Sequence, residues 1–164
     1  MSKATRRPYA EALAIAQRWE KILAPYCERI QLAGSLRRQA EDVGDVEFVV
    51  IPKDKTIFME CLNSMGFTGK KKSEAFRYTL LQDDTQIEVY MTTPESWSAA
   101  LLYATGPKQY TIRLRALATR SRGMLLNHNG LFKKDTNEMV AGATEEEILE
   151  RLGSRWRSPK ERVK

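Results

Sequence analysis

Cysteine is scarce here: the chain of 164 residues has two. Cys27 and Cys61 lack any metal-ligand spacing, which removes a cysteine-held metal from consideration. Both lie in apolar patterns of helical period and read as reduced core thiols. No apolar run is long enough to span a bilayer, and no leader-like pattern opens the chain. A cytoplasmic or nucleoid-associated protein is expected, neither secreted nor partnered with a membrane. Internal repeats and low-complexity tracts are absent too. The length suffices for one domain or two small subdomains with a real core.

Acidic residues are also missing from one long stretch. The formal net charge is +6, and between Glu95 and Asp135 there is no Asp or Glu at all. Up to Thr93 the chain carries 14 basic and 13 acidic residues; from Pro94 onward it carries 13 and 8. The acid-free stretch holds Lys108, Arg113, Arg115, Arg120, Arg122, Lys133 and Lys134. A helix is predicted over 107–122, stopped by Gly123. On it Lys108, Arg115 and Arg122 recur every seven residues as one stripe, opposite an apolar face of Tyr110, Leu114, Leu117 and Ala118. A cationic stripe without acids to pair is suited to a phosphate backbone.

What is present in the first half is a cluster of chemistry. Ile30 to Ala33 is a short apolar run, followed by Gly34-Ser35-Leu36-Arg37-Arg38 and then by Gly44-Asp45-Val46-Glu47-Phe48-Val49-Val50-Ile51. The first segment can open a helix whose free N–H groups attract phosphate, with Arg37 and Arg38 adding charge. The second, from Val46, is β-branched and aromatic and ends at Pro52, as a buried strand does. Residues two apart on a strand share a face, so Asp45 and Glu47 point the same way. Paired carboxylates repel, and divalent cations between them keep both ionised. Hard oxygen donors select Mg²⁺, with Mn²⁺ as a substitute. Two such ions can activate an attacking oxygen and hold a leaving phosphate. The third carboxylate is expected at Glu88, in the alternating run Gln86-Ile87-Glu88-Val89-Tyr90 after the turn-like Gln82-Asp83-Asp84-Thr85.

The remaining elements follow from periodicity. A helix is predicted over 8–23, with Ala12, Ile15, Ala16, Trp19, Ile22 and Leu23 on one side. Another runs from 54 or 55 to 65 and ends at Gly66. Strands are predicted over 67–72 and 75–81, the first ending in the basic run Lys70-Lys71-Lys72. Thr93-Pro94-Glu95 has the form of a helix start and opens a second subdomain.

The motif Gly34-Ser35-Leu36-Arg37-Arg38 with Gly44-Asp45-x-Glu47 resembles the signature of family X DNA polymerases, the polymerase beta relatives among nucleotidyltransferases. Leu102-Tyr103-Ala104-Thr105-Gly106 resembles the family's Tyr-Phe-Thr-Gly segment. Arg113-Leu114-Arg115 falls where the next helix approaches DNA. Leu126-Asn127 through Gly130-Leu131-Phe132, Ala141-Gly142 and Pro159-Lys160-Glu161-Arg162 continue the likeness nearly to the end. The resemblance implies an α/β (α+β) fold: a catalytic palm with a mixed sheet and flanking helices over 1–93, then a small α+β DNA- and nucleotide-binding subdomain over 94–164. It implies a monomeric DNA-directed DNA polymerase that fills short gaps in DNA repair, using dNTP, a gapped or primed duplex, and two Mg²⁺ ions. Deoxyribose-phosphate lyase activity is not expected, because no segment of the chain resembles that region of larger relatives.

Residue by residue, it implies that Asp45, Glu47 and Glu88 hold metal, with Glu88 near the primer hydroxyl. Ser35, Arg38 and the Gly44 backbone would bind the β and γ phosphates, and Tyr103, Thr105 and Gly106 would pack on the sugar. Lys108, Arg113, Arg115, Arg120 and Arg122 would meet DNA, with Arg6 or Arg7 as a further phosphate ligand. Two of the three metal carboxylates are Glu where relatives usually have Asp, and Ala104 replaces an aromatic beside the sugar. The lone His128 reads as a hairpin contact. The alternatives are a nucleotidyltransferase that is template-independent or modifies RNA or a small hydroxylated substrate, and a catalytically silent DNA-binding module.

Overall fold

The computed structural model describes residues 5–70 and 76–163. It divides into two units, Met1–Thr92 and Thr93–Lys164. The first opens with β1 (Arg7–Pro8) and α1 (Tyr9–Leu23), followed by β2 (Cys27–Leu32), the single turn α2 (Gly34–Arg37) and β3 (Asp42–Val43). Then come β4 (Val46–Pro52), α3 (Lys55–Ser64), β5 (Thr68–Lys70), β6 (Phe76–Gln82) and β7 (Thr85–Met91). Five strands form one sheet in the order β2-β4-β7-β6-β5, while β1 and β3 pair separately. Only β4 and β7 run parallel; the other neighbours in the sheet are antiparallel, so the sheet is mixed.

Alternation along the strands divides labour between the two faces. Val46, Phe48 and Val50 of β4 and Ile87 and Val89 of β7 join Ala12, Ala16 and Leu23 of α1 and Phe58 and Leu62 of α3 in one core. The opposite positions of the same strands carry Glu47 and Glu88. Asp54 caps α3 by accepting from the Ile57 N–H at 3.0 Å. Trp19 packs edge-on against Phe67, with ring centroids 5.5 Å apart. Ile22, expected on the apolar side of α1, is instead 44% exposed, because it lies beyond the width of the sheet-facing stripe.

Several boundaries depart from the sequence expectations. The helix after the Gly-Ser turn begins at Gly34 itself and ends after four residues, too short for much aligned dipole. Asp45 lies just ahead of β4 and not within it. Cys27 starts a strand, where its thiol donates to the Leu23 carbonyl; burial pushes that thiol up to about 11, against the pull of Lys53. Part of the Lys70-Lys71-Lys72 run lies outside the described residues.

The second unit begins with a short turn at Pro94–Ser96, then α4 (Trp97–Thr105) and α5 (Lys108–Ser121). Strands β8 (Met124–Asn127), β9 (Gly130–Lys133) and β10 (Met139–Ala141) form an antiparallel sheet ordered β10-β9-β8, and α6 (Glu145–Arg151) follows. Tyr110, Leu114 and Ala118 of α5 pack with Leu126, Leu131, Ile148, Leu149 and Leu152. Among the described residues, no helix is long and apolar enough to cross a membrane.

Segment 155–163 closes over this core through one buried charge. Arg162 Nη1 meets Glu145 Oε2 at 2.7 Å, and the two side chains are 0% and 5% exposed. Arg162 Nε also donates to the Arg157 carbonyl, and its guanidinium lies over the rings of Tyr110 and Trp156. Removing one partner of such a pair strands the other without compensation. Arg162→Met should therefore destabilise the protein by about 3–5 kcal/mol, read as a lowered midpoint in thermal or denaturant unfolding.

Candidate active site

The carboxylate site is assembled by strand register. In the parallel β4–β7 ladder, Glu47 stands directly beside Glu88. Across the antiparallel β6–β7 pair, Thr79 faces Glu88 and Arg77 faces Tyr90. That register follows from a two-residue hairpin at Asp83 and Asp84, both with positive φ, the backbone of a turn whose twist matches the strands.

Glu88 is 4% exposed, and its neighbours on the same face hold both oxygens. Gln86 Nε2 donates to Oε1 at 2.6 Å, and Tyr90 OH donates to Oε2 at 2.9 Å. Arg77 Nη1 stands 4.0 Å from Oε1. Burial, with the negative charges of Glu47 and Glu88, pushes the Tyr90 phenol far up, so it remains a donor.

Glu47 carries the conflict. Desolvation of its carboxyl, the Glu88 charge, a hydrogen bond shared with Glu88 and the Asp45 charge all raise its pKa well above the ordinary 4.5, with Arg38 opposing. Asp45 is raised by burial and by Glu88, against the pull of Arg6 and Arg77. Burial lowers the Arg38 pKa while Glu47 raises it.

Gly34 is fitted to Glu47. Its φ is +60°, and a Cβ added there would overlap Glu47 Oε2 and Cδ. The adjacent Ala33 N–H donates to the Glu47 carbonyl at 2.8 Å, which fixes the turn against the strand. Ser35 and Arg38 are half-buried on the same turn. Arg6 pairs with Asp42 and reaches over Gly44, 3.1 Å from where a Cβ would stand. Arg7 turns elsewhere, to Glu11 and the Asp83 carbonyl. Of the two arginines, Arg6 is the one beside Asp45.

The donor set suits a hard divalent cation: three carboxylates, two of them in mutual repulsion that a cation would relieve. Among the described residues, no three acidic, histidine or cysteine side chains already stand at the spacing of a metal cage. The fit is therefore one of chemistry and register.

In the second unit, Thr105 is fully buried and Gly106 has a positive φ, while Tyr103 is 41% exposed and lies edge-on to His128. Thr111 donates to the Lys108 carbonyl. Lys108, Arg113, Arg115 and Arg120 are exposed on α5. Two of the expected DNA cations also hold the chain together. Arg113 Nη2 donates to the Val163 carbonyl at 2.7 Å. Arg122 lies past the end of α5, where its Nε donates to the Leu152 carbonyl at 3.2 Å and its guanidinium covers Gly153.

Arg77, Gln86 and Tyr90 were not singled out as functional by sequence reasoning, although counting back from the Asp83-Asp84 turn puts all three on the face that carries Glu88. The contact between Gly34 and Glu47 left no signal beyond the glycine itself.

Residues 100–163 match the family model described as DNA polymerase beta thumb. The chain is 31% identical over 152 residues to Repair DNA polymerase X of African swine fever virus (isolate Warthog/Namibia/Wart80/1980), covering 87% of this chain and 84% of that protein. It is 26% identical over 159 residues to DNA polymerase/3'-5' exonuclease PolX of Bacillus subtilis, covering 90% of this chain and 27% of that one. DNA nucleotidylexotransferase of Xenopus laevis is 34% identical over 77 residues, 47% of this chain and 15% of that protein.

Two outcomes follow from the packing and charge. Gly34→Ala forces both an unfavourable φ and an overlap with Glu47, and should cost more than about 1 kcal/mol of stability in denaturant titration. With a chelator present, the folded state binds more protons at Glu47 than the unfolded chain. Stability should then fall as pH rises from the ordinary carboxylate value toward the raised one. Glu47→Gln should flatten that slope, and added Mn²⁺ should reverse it, both read from unfolding midpoints against pH.

Proposed function

Because the chain belongs to the family X DNA polymerases, we propose that it is a DNA-directed DNA polymerase that fills short gaps during repair, adding dNMP to a primer 3′-hydroxyl. The observation that carries this reading is the register placing Glu47 beside Glu88 over the Gly34 turn, with Asp45 coupled to both through charge. Asp45, Glu47 and Glu88 would hold two Mg²⁺ ions, with Mn²⁺ as a substitute; bound there, such ions activate the attacking hydroxyl and neutralise charge on the leaving phosphate.

The chain's own groups do the rest. Ser35, Arg38 and the Gly44 backbone bind the β and γ phosphates, and Arg6 adds charge at the Asp45 end. Tyr90 and Gln86 hold the two Glu88 oxygens in place, so that this carboxylate can accept the hydroxyl proton. Tyr103, Thr105 and Gly106 shape the sugar-binding segment; with Thr105 fully buried, its contribution is through backbone. Lys108, Arg113, Arg115, Arg120 and Arg122 contact the DNA backbone, and the protein acts as a monomer. Positioning and electrostatics of this kind suffice for in-line phosphoryl transfer.

The test uses a one-nucleotide-gapped duplex beside a single-stranded primer, with each dNTP supplied singly and either metal. Addition of the complementary nucleotide alone to the gap is expected, with Asp45→Ala reducing the rate by at least about 100-fold. Indiscriminate extension of the single strand would favour terminal addition instead, a reading prompted by the likeness to DNA nucleotidylexotransferase. DNA binding without extension under either metal would overturn the catalytic reading.

A further inference from the structure

Trp156 is 44% exposed, an unusual position for an indole that has a core beside it. It is nevertheless held in place. The Arg162 guanidinium lies 5.3 Å from its ring centroid, and Arg162 is itself locked by the Glu145 ion pair and the Arg157 carbonyl. One ring face therefore rests on a buried cation.

The charge on its segment is mostly positive. Arg155 and Lys160 are exposed on the same segment, and Arg157 lies between them. The segment ends on the basic helix: Arg113 of α5 donates to the Val163 carbonyl, which makes the patch continuous with the exposed cations of that helix. Glu161 lies within the patch, but its carboxylate accepts from both the Ser158 N–H and hydroxyl, which turns it back onto its own turn. A rigid, exposed aromatic ring among cations is the recurring design for binding single-stranded nucleic acid, where bases stack on the ring and phosphates meet the charges.

We propose that Trp156, with Arg155, Arg157 and Lys160, forms a stacking platform for unpaired bases of the DNA. The choice of DNA as the nucleic acid rests on the polymerase reading. The ring needs no reordering before it binds, so its contribution carries little entropic cost.

Tryptophan fluorescence reports this directly with an oligothymidylate of eight nucleotides as probe. Trp97 is buried and Trp19 packs against Phe67, so Trp156 is the exposed indole. Oligothymidylate should quench the wild-type emission, and Trp156→Phe, which preserves an aromatic packing partner, should remove most of that quenching. Trp156→Ala should weaken binding of a duplex with a single-stranded template overhang about fivefold or more, leaving a blunt duplex unchanged. Lys160→Ala should lower the salt dependence of oligothymidylate binding by about one counterion. Quenching that survives in Trp156→Phe, or equal weakening of overhang and blunt duplexes, would overturn the proposal. A protein that shows the Trp156 quenching yet adds no nucleotide would instead overturn the polymerase reading alone.

Discussion

Two glutamates forced side by side by a parallel strand pair are the constraint around which the first unit is organised. Neither β4 nor β7 can shift by one residue without sending its whole apolar set to the wrong face. The hydrophobic core thus fixes the Glu47–Glu88 encounter as firmly as it fixes itself. The repulsion that results is managed locally: donors from Gln86 and Tyr90, and the charges of Arg38, Arg6 and Arg77 around the rim. None of these devices removes the conflict. They leave a folded protein whose centre has an unmet demand for positive charge, which is a sound starting condition for chemistry on triphosphates.

Much of this arrangement was legible in the sequence because it depends on local pattern. The apolar run after Val46 and the alternation around Glu88 place both carboxylates on strands, and Pro52, Gly66 and Gly123 mark where elements stop. The mixed α/β character and the family membership followed from motifs in the correct order. Less legible were features set by contacts distant in sequence. That Arg77 stands near Glu88 requires the register of a hairpin, and that Arg122 covers Gly153 requires the packing of α5 on the segment after α6. The stripe reading of Lys108, Arg115 and Arg122 assumed a helix continuing through Arg122; the helix ends one residue earlier, and the side chain is drawn to a carbonyl. Cys27 is a free, buried thiol as expected, but it opens a strand: apolar residues spaced like a helix also occur where a helix passes through a short turn into a strand.

The second unit solves a different problem with the same currency of charge. Its surface is basic along α5, yet one arginine, Arg162, is fully buried and bonded to Glu145. Burying an ion pair seldom adds net stability over an apolar pair, but it does define a single way for segment 155–163 to close. Tyr110 and Trp156 are both brought to that guanidinium, so the register of α5 and the orientation of the terminal segment are fixed by one side chain.

The close approach of Gly34 to Glu47 reaches beyond this molecule. The glycine leaves room that the longer acid fills, so the choice of residue at 34 depends on what stands at 47. A shorter acid at 47 opens a void beside the turn, and any side chain at 34 evicts the carboxylate. The dependence is therefore one-sided: a mutational library can vary position 47 while Gly34 stays, but a side chain at 34 has no room while Glu47 stays.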